Sequence, residues 1–170
     1  MGWGGVAQRA VDGNVDGHYN RHSVSHTRTN KNVWWEVDLE LTYPIYLILI
    51  HNRRDAVQNR IDGATVYVVS EVGAKQLCGR VSYRKQVGVY PISCGGKRGN
   101  KVRVEHKYNY LTLAEVQVFA SAKVTMEGYY GSGNVQILSQ GKPAMESSEG
   151  WGGNPSRAVD GLTDGWYNGK

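Results

Sequence analysis

The sequence predicts an all-β fold: a two-sheet β-sandwich with Greek-key or jelly-roll connections. Three observations predict it. Short segments rich in β-branched and aromatic residues recur along the chain, Gly- and Asn-containing turns separate them, and no stretch sustains a helical period. At 170 residues the chain has the size of one domain, perhaps with a fragment of another, and 40% hydrophobic residues suffice for a core. The 11 Tyr and 5 Trp, against a single Phe, favour sheet faces and binding surfaces, because each ring carries a polar handle.

The elements follow in order. VWWEVDL (33–39) reads as the first clear strand, with at least one of Trp34 and Trp35 in the core. LTYP marks a turn, after which IYLILIH (45–51) does not alternate and reads as a strand covered on both faces. RIDG precedes the strand ATVYVVS (64–70), and CGGKRGN reads as a turn before KVRVEH (101–106), whose apolar residues alternate with charges. HKYNY is the last turn, and TLAEVQVF (112–119) the last strand of this region.

A repeat governs the domain organisation. GWGGVAQRAVDGNVDGHYN (2–20) returns as GWGGNPSRAVDGLTDGWYN (150–168), with 13 of 19 positions identical at an offset of 148 residues. That period is too long for a solenoid unit and matches one whole sandwich domain. Residues 2–120 then read as a sandwich lacking its first strand, 121–133 as a linker, and 134–170 as the opening of the next copy of a tandem array. Met1 reads as an added start before the repeated unit. A sandwich short of a strand has an open edge, so residues 134–150 are expected to fill it. They would do so in cis, as a circular permutation, or by strand swapping with a second chain.

Composition also excludes. No run of 18 apolar residues is present, so no transmembrane segment is expected, and no signal peptide pattern is visible. No Gly-x-Ser-x-Gly, His-Glu-x-x-His or phosphate loop occurs, and no enzyme is expected. The net charge of +5 collects in NRRD (52–55), YRK (83–85) and GGKRGNK (95–101), which leaves binding of a sulfated polysaccharide or other polyanion as an alternative. A discoidin-type membrane or protein adhesin would want apolar spikes on its loops, whereas these loops are polar and basic.

One constellation carries chemistry. His26 is followed by 26 residues, Arg53, one residue, Asp55, four residues and Arg60. Two guanidiniums are rigid forks of donors that stay charged, and a neutral imidazole adds one directed donor or acceptor. Such a set can grip neighbouring hydroxyls of a neutral sugar. The spacing, the intervening NVWWEVDL and the closing YLTLAEVQVF resemble the fucose-binding signature of the F-type lectins, the fucolectin family. The likeness covers residues 6–120 and continues into 134–150. It implies that His26, Arg53 and Arg60 bind fucose; by its chemistry Asp55 is expected to orient one or both guanidiniums, and Tyr19, with Trp3 or Trp151 depending on the copy used, to meet the sugar's apolar face. It also implies a disulfide between Cys78 and Cys94, and hence an oxidising, secreted setting. Two family features are missing. Ala56 and Val57 stand where many members have adjacent cysteines, and Val24 and Ala114 stand where a buried bridge would be.

DGNVDG (12–17) matches the first half of a calcium loop of the EF-hand type, but the second half fails at Ser23 and the flanks are not helical. A sandwich can still use such a loop. The resemblance implies a structural Ca2+ held by the Arg9 carbonyl, Asp12, Asn14, Ser23, the Ala114 carbonyl and Glu115. In the second copy Leu162 replaces Asn14, which removes one oxygen. Expected partners are fucosylated glycans and glycoproteins, not nucleic acid, bound with avidity by a tandem array or homo-oligomer. The setting would be adhesion or immune recognition. The array also resembles the bivalve sperm bindins, which display repeats of this family for gamete recognition.

Overall fold

The computed structural model describes residues 5–121 and 136–148. The described strands are β1 (Ser25–His26), β2 (Val33–Asn52), β3 (Thr65–Val69), β4 (Lys75–Arg80), β5 (Val89–His106), β6 (Thr112–Phe119) and β7 (Ala144–Glu146). They form a discoidin-like sandwich in which two long strands serve both layers. The first half of β2 (Val33–Asp38) pairs with Lys101–His106 of β5 and with β7; β5 continues to β3, and β3 to β4. The second half (Leu47–Asn52) lies between Val89–Ser93 of β5 and β6, and β1 pairs with β6 at the layer's edge. All pairings are antiparallel.

Two expected breaks are strand interiors. LTYP does not end a strand: β2 runs through it, and the register shifts between Asp38 and Tyr43 as the strand turns from one layer to the other. Glu40 takes the positive φ of this corner at 69°, and Leu41 points outward, 64% exposed. CGGKRGN lies within β5 for the same reason, with Gly95 and Gly96 at positive φ. Strands that change sheets need such irregularities.

The core between the layers follows the alternation of the strands. Val33, Trp35, Val37 and Leu39 point inward with Val66, Val68, Val102, Val104, Val116 and Val118. Trp35 is fully buried, and its indole Nε1 donates to Ala7 O at 2.9 Å. Trp34 faces the other way, half-buried beneath the Arg103 guanidinium, which lies 4.1 Å above its ring. Ile48, Leu49 and Ile50 are all buried, so this strand is covered on both faces. A disulfide joins Cys78 on β4 to Cys94 on β5, with a Cα–Cα distance of 4.5 Å. Val24 and Ala114 form a small separate apolar cluster with Tyr19 where the resemblance would place a bridge.

Residues 136–148 pack on the sandwich. Leu138 N donates to Val118 O, and the buried Ser139 hydroxyl donates to Val116 O at 2.7 Å. The Gln8 amide reaches Lys142 O and the Ala144 N–H. Pro143 O accepts from Asp38 N, Trp34 O from Ser147 N, and Ser148 O from Arg28 N.

Candidate functional site

β1 and the loop that follows β2 bring the expected residues together at one end of the sandwich. His26 sits at the end of β1, where its backbone N–H donates to Gly5 O at 2.8 Å. The approach is so close that a Cβ on Gly5 would lie 2.7 Å from His26 N, so only glycine fits there. His26 Nδ1 lies 2.6 Å from Thr27 O. A carbonyl can only accept, so Nδ1 carries the proton and Nε2 is left as a directed acceptor. Burial lowers the His26 pKa from the usual imidazole value, and the Arg60 and Arg53 charges push the same way against the Thr27 carbonyl. The ring is therefore neutral near pH 7.

Arg53 follows the end of β2, and Asp55 clamps it. Arg53 Nε donates to Oδ1 at 2.6 Å and Nη2 to Oδ2 at 3.1 Å, a fork-on-fork pair. Burial pushes the Asp55 pKa up, but the Arg53 bonds and charge outweigh it, and the net direction is down. Arg60 lies on the short 3-10 turn Gln58–Ile61, whose backbone closes from Arg60 N to Val57 O. Its Nη1 reaches His26 Nε2 at 3.4 Å. Asp55 thus holds one guanidinium, and the imidazole engages the other.

Two tyrosines frame the group. Tyr19 meets the His26 ring edge-on with centroids 5.6 Å apart, and Arg53 stacks over Tyr19 at 4.6 Å. Tyr110 lies 5.3 Å from the His26 ring on the other side, and Arg60 stacks over it at 4.8 Å. Cation and ring attract, which fixes each guanidinium plane. Tyr19 is 9% exposed, with Val24 and Ala114 also in its cluster, so it supports the site from beneath. Tyr110 was not expected from the sequence. It belongs to HKYNY, which reads only as a turn, and nothing local signals that the turn folds over His26. Trp3 and Trp151 lie outside the described residues.

Val57, on the loop between Asp55 and Arg60, is 40% exposed, with φ at +47°. A β-branched residue in the left-handed region is strained, and such strain gathers at functional positions.

The loop 12–17 is a chain of Asx turns. Asp12 Oδ1 accepts from Asn14 N at 2.8 Å, Asn14 Oδ1 from Asp16 N at 3.0 Å, and Asp16 Oδ1 from His18 N at 3.1 Å. Ser23 is fully buried and donates to Asp16 O and His18 O. Glu115 is fully buried, and both its oxygens accept from Gly13 N at 3.3 Å. Burial, and then the charge of Asp12, pushes its carboxyl up to about 8, and burial raises Asp12 too. No ion pair with a basic side chain reaches Glu115 among the described residues. A buried carboxylate beside a second one is relieved by a proton or by a cation, and Asp12, Asn14 and Ser23 on the neighbouring segment carry oxygens of the hardness that calcium prefers. Among the described residues no group of three or more His, Cys, Asp or Glu could hold a metal, so any ion here would depend on amide, hydroxyl and carbonyl oxygens as well. The Arg9 side chain turns elsewhere, to Val24 O and the His22 ring, which leaves only its carbonyl for the role.

The family model of NedA-like, galactose-binding domains matches residues 9–104. The pentraxin fusion protein of Xenopus laevis is 31% identical over 120 residues, 67% of this chain and 29% of that protein. Fucolectin-6 of Anguilla japonica is 34% identical over 117 residues, 67% of this chain and 63% of that protein. The chain therefore spans less than two thirds of the length of these relatives. Among solved structures, the lectin domain of lectinolysin complexed with Lewis B antigen is 37% identical, with a TM-score of 0.66 over 69% of this chain and 86% of that one. A fucose binding module of Streptococcus pneumoniae is 32% identical, with a TM-score of 0.65 over 69% and 84%.

Proposed function

The chain belongs to the family of NedA-like, galactose-binding domains and has fucolectins among its relatives, and from that premise we propose that it is a lectin for terminal L-fucose on glycans. The observation that carries this reading is the convergence of His26, Arg53 and Arg60, 34 residues apart at the extremes, on one neutral imidazole acceptor between two stacked guanidiniums. A sugar hydroxyl takes the place of the Arg60 contact on His26 Nε2, donating to that nitrogen and accepting from Arg60, while its neighbour accepts from Arg53. Asp55 holds Arg53 in place, so little side-chain entropy is lost on binding. Tyr110 offers apolar contact to the sugar ring and methyl group. Binding, not chemistry, is the activity. The test is titration of L-fucose into the protein by calorimetry. Heat that saturates, and that vanishes in Arg60→Ala, supports the reading; no heat at any concentration overturns it.

Calcium is the second part of the proposal. Asp12, Asn14, Ser23 and Glu115, with the Arg9 and Ala114 carbonyls, would hold it. The ion would neutralise the carboxylates and tie the loop before His26 to β6.

The remaining parts concern the protein's setting. Residues 134–150 are read as the strand that completes the 2–120 sandwich in permuted order, and a second chain could supply the same segment by swapping. The protein would be secreted and serve adhesion, in gamete recognition or in defence, with avidity from repeated domains.

A further inference from the structure

Two basic side chains play no part in the fucose site, and the fold brings them together. Arg54, from NRRD, and Lys85, from YRK, lie 31 positions apart in sequence and line one open depression of about 520 Å³. Gln58, Tyr83 and Gln86 line it too, and Val57 and Gln86 turn through it with left-handed backbone at φ +47° and +68°. The volume suits one monosaccharide unit or a substituent on it. None of its lining residues is acidic. The two acids on these loops are engaged: Asp55 accepts both Arg53 bonds, and Asp62 accepts from Tyr83 N at 2.8 Å. The Arg54 stem is held between Gly17 and Gly88, where an added Cβ would lie 2.6 and 3.3 Å from it. The depression shares the segment 53–60 with the fucose site: Arg53, Asp55 and Arg60 belong to one, and Arg54 and Ala56–Asn59 to the other.

We propose that this depression is an anionic subsite, which takes a sulfate or carboxylate on the sugar next to fucose in the same glycan. The proposal rests on the fucose reading for its main ligand. A pre-positioned guanidinium offers two parallel donors to a tetrahedral or planar anion, and Lys85 adds a mobile point charge. The hydroxyl of Tyr83 and the amides of Gln58 and Gln86 can bond the remaining oxygens. The lectin would then select fucosylated glycans by the charge beside the fucose.

The experiment compares three ligands by calorimetry in low and high salt: L-fucose, a neutral fucosylated trisaccharide, and the same trisaccharide with one sulfate on the neighbouring galactose. The sulfated form is expected to bind about five- to twentyfold tighter at low salt, with the gain shrinking at high salt. Lys85→Gln and Arg54→Gln should each reduce that gain and together abolish it, leaving L-fucose affinity unchanged. Equal affinity of the two trisaccharides, or a gain that survives the double variant, overturns the subsite. If neither fucose nor the neutral trisaccharide binds, the fucose reading falls. The subsite is then judged by a sulfated galactose disaccharide without fucose: binding lost in the double variant upholds it, and no binding overturns it.

Discussion

At the scale of single residues, charge and tautomer decide what the site can do. His26 works as an acceptor because Thr27 O holds its other nitrogen protonated. A second proton would put a cation between Arg53 and Arg60. Its pKa lies below the ordinary value near 6.5, so fucose affinity should be flat from pH 8 to 7 and fall in acid, below the usual imidazole range. The stability term has the same sign: the unfolded chain takes up the proton first, so stability is lost as the pH falls below about 6.5. Calorimetry across pH, with His26→Gln as a variant that cannot titrate, checks this. That variant should bind weakly and without the acid limb. Asp55→Asn keeps the shape of the clamp but loses its charge. Fucose affinity should drop about three- to thirtyfold, as for a charge-assisted bond worth roughly 1–2 kcal/mol, with little change in Tm because the pair is near the surface. The four-residue signature was legible in the sequence because its spacing is local to one strand and one loop. Tyr110 was not, since its role depends on how a distant turn folds over His26.

At the scale of elements, loops are fixed by strands they do not neighbour in sequence. The 12–17 loop meets β6 through Gly13 and Glu115, 102 residues apart. Without a cation, Glu115 is protonated below its value of about 8. Its folded pKa is raised above the ordinary 4.5, so its favourable term is present at low pH and is lost as the pH rises from about 4.5 through 8. The chelated protein should therefore lose Tm across that range. Calcium should restore it most at pH 8, where both carboxylates are ionised. Thermal melts with chelator and with calcium at pH 5, 6.5 and 8 decide this. Equal curves would remove calcium from the proposal. Val57 invites a separate test. Asn tolerates φ +47° better than Val, so Val57→Asn should raise stability by about 1 kcal/mol, read as a higher Tm. The sequence pattern located β3 and β6 closely, because their ends carry ordinary turn residues. It split β2 in two and missed β4, KQLCGR, whose half-exposed edge position leaves little alternation to read.

At the scale of the whole molecule, the question is what residues 136–148 contribute. They run along the first half of β2 and over β6, bury Leu138 and Ser139, and bond to backbone at Val11, Arg28, Trp34, Asp38, Val116 and Val118. Losing this segment would strand several buried donors and acceptors at about 1–3 kcal/mol each, against a total stability of roughly 5–15 kcal/mol. A chain ended after residue 133 should therefore unfold at a far lower temperature or fail to fold, and a separate peptide of residues 134–150 should rescue it. The repeat supplied this idea in sequence, but not the geometry that makes it specific. Ser148 O accepts from Arg28 N, and Gly5 O accepts from His26 N, so the two segments that a permuted order would join reach the same stretch beside the fucose site. A chain reordered as 134–149 followed by 2–121 should then fold, with a Tm close to that of the original and the same fucose affinity. If it folds but no longer binds, the segment matters to the site through its connection and not only through its packing. If the shortened chain proves as stable as the full one, residues 134–150 are not the completing strand.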